Sequence, residues 1–152
     1  MCNPVAVLAV STLVTAGAQY QQGETAKNVA EFNAQSAKIQ ADDVLKRGGI
    51  AEEQQLAKTR QMQGTQRAIM AASGSDTTTG SNADILGQTT AMGALDAATI
   101  RSNAARQAWG YENQATQSIA QGNAAGAAGN MGAFSTLLAG GSRAYGMYKG
   151  KS

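Results

Sequence analysis

Histidine is absent from this 152-residue chain. With it go the commonest general base, the commonest metal ligand, and any Ser-His or Cys-His catalytic pairing. Cysteine occurs once, at Cys2, which excludes an internal disulfide and leaves an inert buried thiol or a link between copies open. Proline also occurs once, aromatic residues make up 5% and charged residues 14%. Leu, Ile, Val and Phe are scarce, because alanine supplies much of the 43% hydrophobic content. A compact core is filled by bulky side chains, and this chain has few. Much of its stability is therefore expected from neighbouring copies. The net charge of +2 is too mild for a DNA binder of this size, whose affinity scales with the phosphates it neutralises.

Present in quantity are Ala, Gln and 18 Gly, arranged in five segments within one domain. Residues 1–22 read as an apolar N-terminal helix, with Asn3 as N-cap and Pro4 in the first turn. No charge interrupts the stretch from Val5 to Gly23, which places it at the lower limit for crossing a bilayer. Burial in a protein assembly is the competing reading. No basic residue precedes the run, so it is not a signal peptide. Residues 23–72 read as a long helix rich in good helix formers. Val29, Phe32, Ser36 and Ile39 mark one face, and Leu45 and Leu56 follow at a spacing that suits helices packed side by side. If continuous through Gly48 and Gly49, which predict a kink or a close crossing, this helix is on the order of 70 Å long.

Residues 73–81 are small, polar and β-branched, and predict a turn. They lack the Gly-Lys-Ser/Thr of a phosphate loop. Residues 82–121 predict a second long helix, with Asp84 near its positive end. Along it Ile85, Leu86, Thr89, Met92, Gly93 and Ile100 hold helical spacing, Trp109 and Tyr111 serve as bulky anchors, and Gly110 is a packing site. Residues 122–152 form a Gly-rich apolar segment. Gly122, Gly126, Gly129 and Gly132 share a face, as in close contacts between membrane helices. Phe134, Leu137 and Leu138 add apolar weight before Gly140-Gly141 interrupts. Tyr145 and Tyr148 stand near Arg143, Lys149 and Lys151, a pairing that membrane interfaces favour. No acidic residue follows Glu112, which fits a solvated basic tail or contact with an anionic surface.

The fold class is thus all-α: a long antiparallel helical hairpin whose apolar N- and C-terminal segments lie at the same end, assembling as a multi-copy ring or tube. The turn lies at the opposite pole of this rod. Exposed apolar ends of that size mark an interaction or membrane site. The candidate membrane or oligomer contacts are Val7, Leu8, Val10, Leu13 and Val14 on one strip. On the other they are Gly122, Gly126, Gly129, Phe134, Leu137, Leu138, Tyr145 and Tyr148.

The apolar start with Met1-Cys2, the long Ala/Gln-rich helix, and the run from Arg60-Gln61-Met62-Gln63-Gly64-Thr65-Gln66-Arg67 through Ala68-Ile69-Met70-Ala71-Ala72-Ser73-Gly74 to Gly80-Ser81 carry a resemblance. Ile100-Arg101-Ser102-Asn103-Ala104 and Ala108-Trp109-Gly110-Tyr111 fit it more loosely. Over residues 1–125 the chain resembles the small internal virion proteins of short-tailed bacteriophages, the DNA-ejection proteins of the internal virion protein B type. The resemblance implies a protein stored in the virion and released at infection. It would then form an outer-membrane pore, part of the conduit that delivers the genome. Its implied partners are further copies of itself, other ejection or tail proteins, the host outer membrane, and DNA that passes without sequence-specific binding. Its implied places are the virion and, after ejection, the outer membrane and periplasm.

The competing reading is a structural tail, adaptor or internal-core protein of a virion that inserts in no membrane. An enzyme comes last, and no cofactor, metal or catalytic residue is expected. The carboxylates available for a hydrolase, Asp42, Asp43, Glu52 and Glu53, sit as adjacent pairs on one helix, where a solvated face explains them.

Overall fold

The computed structural model describes residues 4–149, with side chains from residue 10 to 147 and at Lys149. Two α-helices, α1 (Pro4–Ala72) and α2 (Gly80–Lys149), are joined by residues 73–79 and packed against each other. There is no strand among the described residues. The described parts of the expected segments 1–22 and 23–72 merge into α1, and those of 82–121 and 122–152 merge into α2. The Asn3 cap lies outside the described residues.

Neither Gly48-Gly49 nor Gly140-Gly141 breaks its helix. A helical glycine costs about 1 kcal/mol relative to alanine. At one member of each pair, that cost is set against a close contact that no other residue allows. A Cβ on Gly48 would collide with the Ala104 Cβ, and one on Gly140 would lie 2.6 Å from the Thr12 Cγ2.

Helix α1 ends by a defined chemistry. Gly74 adopts φ +70, the left-handed conformation glycine takes without a Cβ clash. Its N–H donates to the Ala71 carbonyl, and the Ser75 N–H donates to that of Met70, both at 3.1 Å. This pair of bonds is the Schellman stop, which satisfies carbonyls a helix end leaves open. The chain then turns on Asp76. Its carboxylate accepts the Thr78 N–H at 2.8 Å and the Thr78 and Thr79 hydroxyls at 2.6 and 2.7 Å. Gly80, again at positive φ, opens α2. The turn is therefore two residues shorter than the expected 73–81, because Gly80 and Ser81 already belong to α2.

The helices form two compact units. One comprises residues up to Ala37 with those from Asn113 onward; the other spans Lys38–Glu112. In each, α1 and α2 run antiparallel along a seam of small side chains. In the first unit Ala34, Ala37 and Ala115 form the core. Gly23 faces Gly129 so closely that a Cβ on either would lie 2.9 or 2.8 Å from the other's Cα. Gly122 lies under Ala30 in the same way. The Thr136 hydroxyl donates to Gln19 Oε1 at 2.9 Å. In the second unit Ala41, Val44, Leu86, Ala97, Ala104 and Ala108 are buried. Gly93 is pressed against the Thr59 side chain. Polar side chains bridge the seam nearer the turn: Gln55 donates to Asp96 at 3.3 Å, and Gln63 to the Leu86 carbonyl at 3.3 Å and to the Thr90 hydroxyl.

The seam positions of α1 repeat every seven residues, as Gly23, half-buried Ala30, Ala37 and Val44 and as Ala34, Ala41 and Gly48. That is the period of helices packed lengthwise, with residues small enough to hold them at the close end of the usual 8–10 Å separation.

Candidate functional site

The bulky apolar residues lie outside this seam. Phe32 is 70% exposed, Trp109 65% and Phe134 64%. Val29 and Ile39 are exposed with Phe32, so the face they were expected to mark is an outer face of α1. Trp109 is largely exposed, and Gly110 has open space where a Cβ would go; neither is the packing site expected of it. Seam positions fall to alanine and glycine because only they permit the Gly23–Gly129 approach. The larger side chains are displaced outward.

The expected contact residues separate into three groups. Val10, Leu13, Val14, Phe134, Leu137, Leu138 and Tyr145 are exposed in the first unit. Gly122 and Gly129 are covered by α1 of the same chain, and a Cβ on Gly126 would lie 3.6 Å from the Lys27 Cδ. The close approach those glycines announce is thus made within the hairpin. The side chains of Val7, Leu8 and Tyr148 lie outside the described residues. Gly23 was not singled out from sequence, although its heptad spacing from Ala16, Ala30 and Ala37 is the signal that finds it.

Open grooves flank the seam and do not form enclosed cavities. In the second unit one is lined by Leu45, Glu52, Glu53, Leu56 and Arg101. There the Arg101 guanidinium lies 3.9 Å from Glu52, and elsewhere Arg47 pairs with Asp43 at 2.9 Å. These carboxylates are thus divided among surface ion pairs and solvent, an arrangement worth little in energy. Among the described residues no group of three or more acidic, Cys or His side chains could hold a metal ion. The one perturbed acid is Asp76, held near 2, below its ordinary 3.8, by the Thr78 hydroxyl first, then the Thr79 hydroxyl and the Thr78 N–H. All three partners are turn residues, and they shape the turn.

Among the described residues no helix is long and apolar enough to cross a membrane. No protein-family model, no curated protein and no solved structure matches this chain.

Proposed function

We propose that this chain is a phage ejection protein, stored in the virion and assembling in many copies into a wall of the conduit that carries the genome through the host outer membrane. The observation that supports it is the inverted distribution of side chains. The seam is built of Ala and Gly, while Leu13, Val14, Phe134 and Leu138 are spread over the outside of the first unit. An apolar exterior of that extent calls for a partner surface. A wall made of paired helices from several copies needs no individually spanning helix, since lipid meets the composite outer face and water the inner one. The proposal includes that the chain carries out no catalysis.

A second reading is favoured by one observation, the lack of a membrane-crossing helix among the described residues. It makes the chain a tail, adaptor or internal-core protein whose apolar exterior packs only on protein. Dye release from vesicles by the purified oligomer separates the two. The ejection reading expects release that Val14→Arg abolishes, Val14 being 66% exposed, because a charge at the bilayer centre costs roughly 2.5–3.5 kcal/mol. Absence of release at every pH and lipid composition would leave the structural reading. A stable single chain in lipid would remove the multi-copy conduit altogether.

A further inference from the structure

The first unit has two sides of different chemistry, identified by the grooves along its seam. One groove is lined by Gln22, Ala26, Ala125 and Ala128, the other by Glu24, Lys27, Asn123 and Asn130. Helical steps of three and four residues extend each side towards the Thr12–Gly140 contact. From Gln22 they run through Ala18 and Thr15, and from Ala128 through Gly132, Ser135, Ala139 and Ser142. From Glu24 they run through Tyr20 and Leu13, and from Asn130 through Phe134, Leu137 and Tyr145. One side is therefore mainly small and hydroxyl-bearing, with exposed Val14 and Met131 at its outer margin; the other carries three exposed aromatics and two leucines.

The hydroxyls of the small side are already satisfied. Thr15 donates to the Ser11 carbonyl at 2.8 Å, and Ser135 and Ser142 donate to those of Gly132 and Ala139 at 2.9 Å. Covering that side strands no donor, which is the usual cost of burying a polar face. None of the positions from Leu13 to Tyr20 or from Phe134 to Leu138 is charged, so like copies meet there without repulsion.

We propose that the bulky side of this unit docks on the small side of the same unit in a second copy of this chain. Tyr20, Phe134 and Tyr145 are 52, 64 and 68% exposed, so each can bury on the order of 100–150 Å² more. With the leucines and their surroundings, the patch approaches the roughly 800 Å² per partner that a stable interface covers. Such a contact joins two different surfaces, so it leaves one of each free and repeats from copy to copy, closing into a ring where the rotation allows. It rests on the multi-copy reading and specifies the contact that reading requires.

The test uses the full chain with two double substitutions, Leu13→Glu with Phe134→Glu on the bulky side and Ala18→Glu with Ala139→Glu on the small side. All four positions are exposed, and circular dichroism checks that helicity is kept. Each variant alone is expected to sediment as a single chain where the unsubstituted protein is multimeric, association weakening by about a hundredfold or more. Mixed in equal amounts, the two variants should form a species of two chains and nothing larger, because only one intact contact is left between them. A small-side variant that keeps the full multimer overturns the assignment in favour of bulky side on bulky side. A bulky-side variant that keeps the multimer but no longer floats with phosphatidylethanolamine–phosphatidylglycerol vesicles overturns it in favour of lipid. In both cases the multi-copy reading survives. Only an unsubstituted protein that is a single chain at every concentration removes that reading and this contact together.

Discussion

The glycines of this chain do opposite things at different positions, and substitution by alanine distinguishes them. At Gly129 a methyl group would meet the Gly23 Cα at 2.8 Å and the Gln19 carbonyl oxygen at 3.0 Å. Both are backbone atoms, so the helices must separate. Gly129→Ala is expected to destabilise the hairpin by about 1–3 kcal/mol, the range for overpacking. At Gly49 a methyl group would meet nothing within 4 Å. Gly49→Ala is expected to stabilise by up to about 1 kcal/mol through helix propensity alone. Urea midpoints shifting in opposite directions would bear this out, and equal shifts would contradict the seam geometry. The Asp76 carboxyl supplies a second residue-scale prediction. Hydrogen bonds from Thr78 and Thr79 hold its folded pKa at about 2, below the ordinary 3.8. A depressed folded value means that its contribution to the turn is complete above the unfolded value and is lost as pH falls through about 2. Protection of the Thr78 amide, its exchange taken relative to the intrinsic rate at each pH, should therefore fall as pH drops from 3.8 towards about 2. Asp76→Ala should show that loss of protection already at neutral pH, with the spectra of the seam alanines unchanged.

At the scale of the helices, existence and type were legible and facing was not. The Ala/Gln-rich runs around Lys38 and Asn103 are unambiguous helix formers, and Ser73-Gly74 with Gly80 announced the turn. Alanine, however, serves equally on a solvent face and in a close seam, so Ala34, Ala37 and Ala115 gave no sign of being the core. The usual assumption that bulky residues face inward pointed to Val29, Phe32 and Ile39, which lie outside. Gly140-Gly141 read as an interruption and Gly48-Gly49 as either a kink or a close crossing, because propensity is local, whereas the contacts of Gly48 with Ala104 and Gly140 with Thr12 come from the other helix. Leu13 and Phe134, named from sequence as contact candidates, are exposed, but Gly122 and Gly129 were grouped with them because a glycine stripe does not reveal which helix covers it. One pair of variants tests this inversion directly. Ala115→Leu enlarges a residue 1% exposed between two other alanines and is expected to cost about 1–3 kcal/mol. Phe32→Ala removes a side chain 70% exposed and is expected to change the stability of separated chains by no more than about 0.5 kcal/mol. Denaturant titration at high dilution measures both. A larger loss for Phe32→Ala would place Phe32 in an intramolecular contact the structure does not contain.

For the molecule as a whole, a seam of this composition limits what one copy can achieve alone. Among the described residues no large side chain is fully buried, and Leu86 and Val44 are the bulkiest members of the core. Burying an alanine removes far less apolar area than burying a leucine, and each residue ordered in a helix costs about 1–2 kcal/mol of conformational entropy. The described ion pairs are exposed and do not close that gap. Association of copies, as proposed, would add stability, and it would act through concentration. If copies stabilise one another by covering the outer apolar residues, the melting midpoint must rise with protein concentration. Each tenfold increase adds about 1.4 kcal/mol per dissociating chain, which for a chain of this size corresponds to a shift of roughly 3–6 °C. Salt should change this little, since the surfaces concerned are uncharged. Thermal melts across a hundredfold range of concentration, with sedimentation at each end, check the point. A midpoint independent of concentration would mean that the alanine seam is sufficient by itself. The exposed Phe32, Trp109 and Phe134 would then have to be explained by a partner other than another copy of the chain.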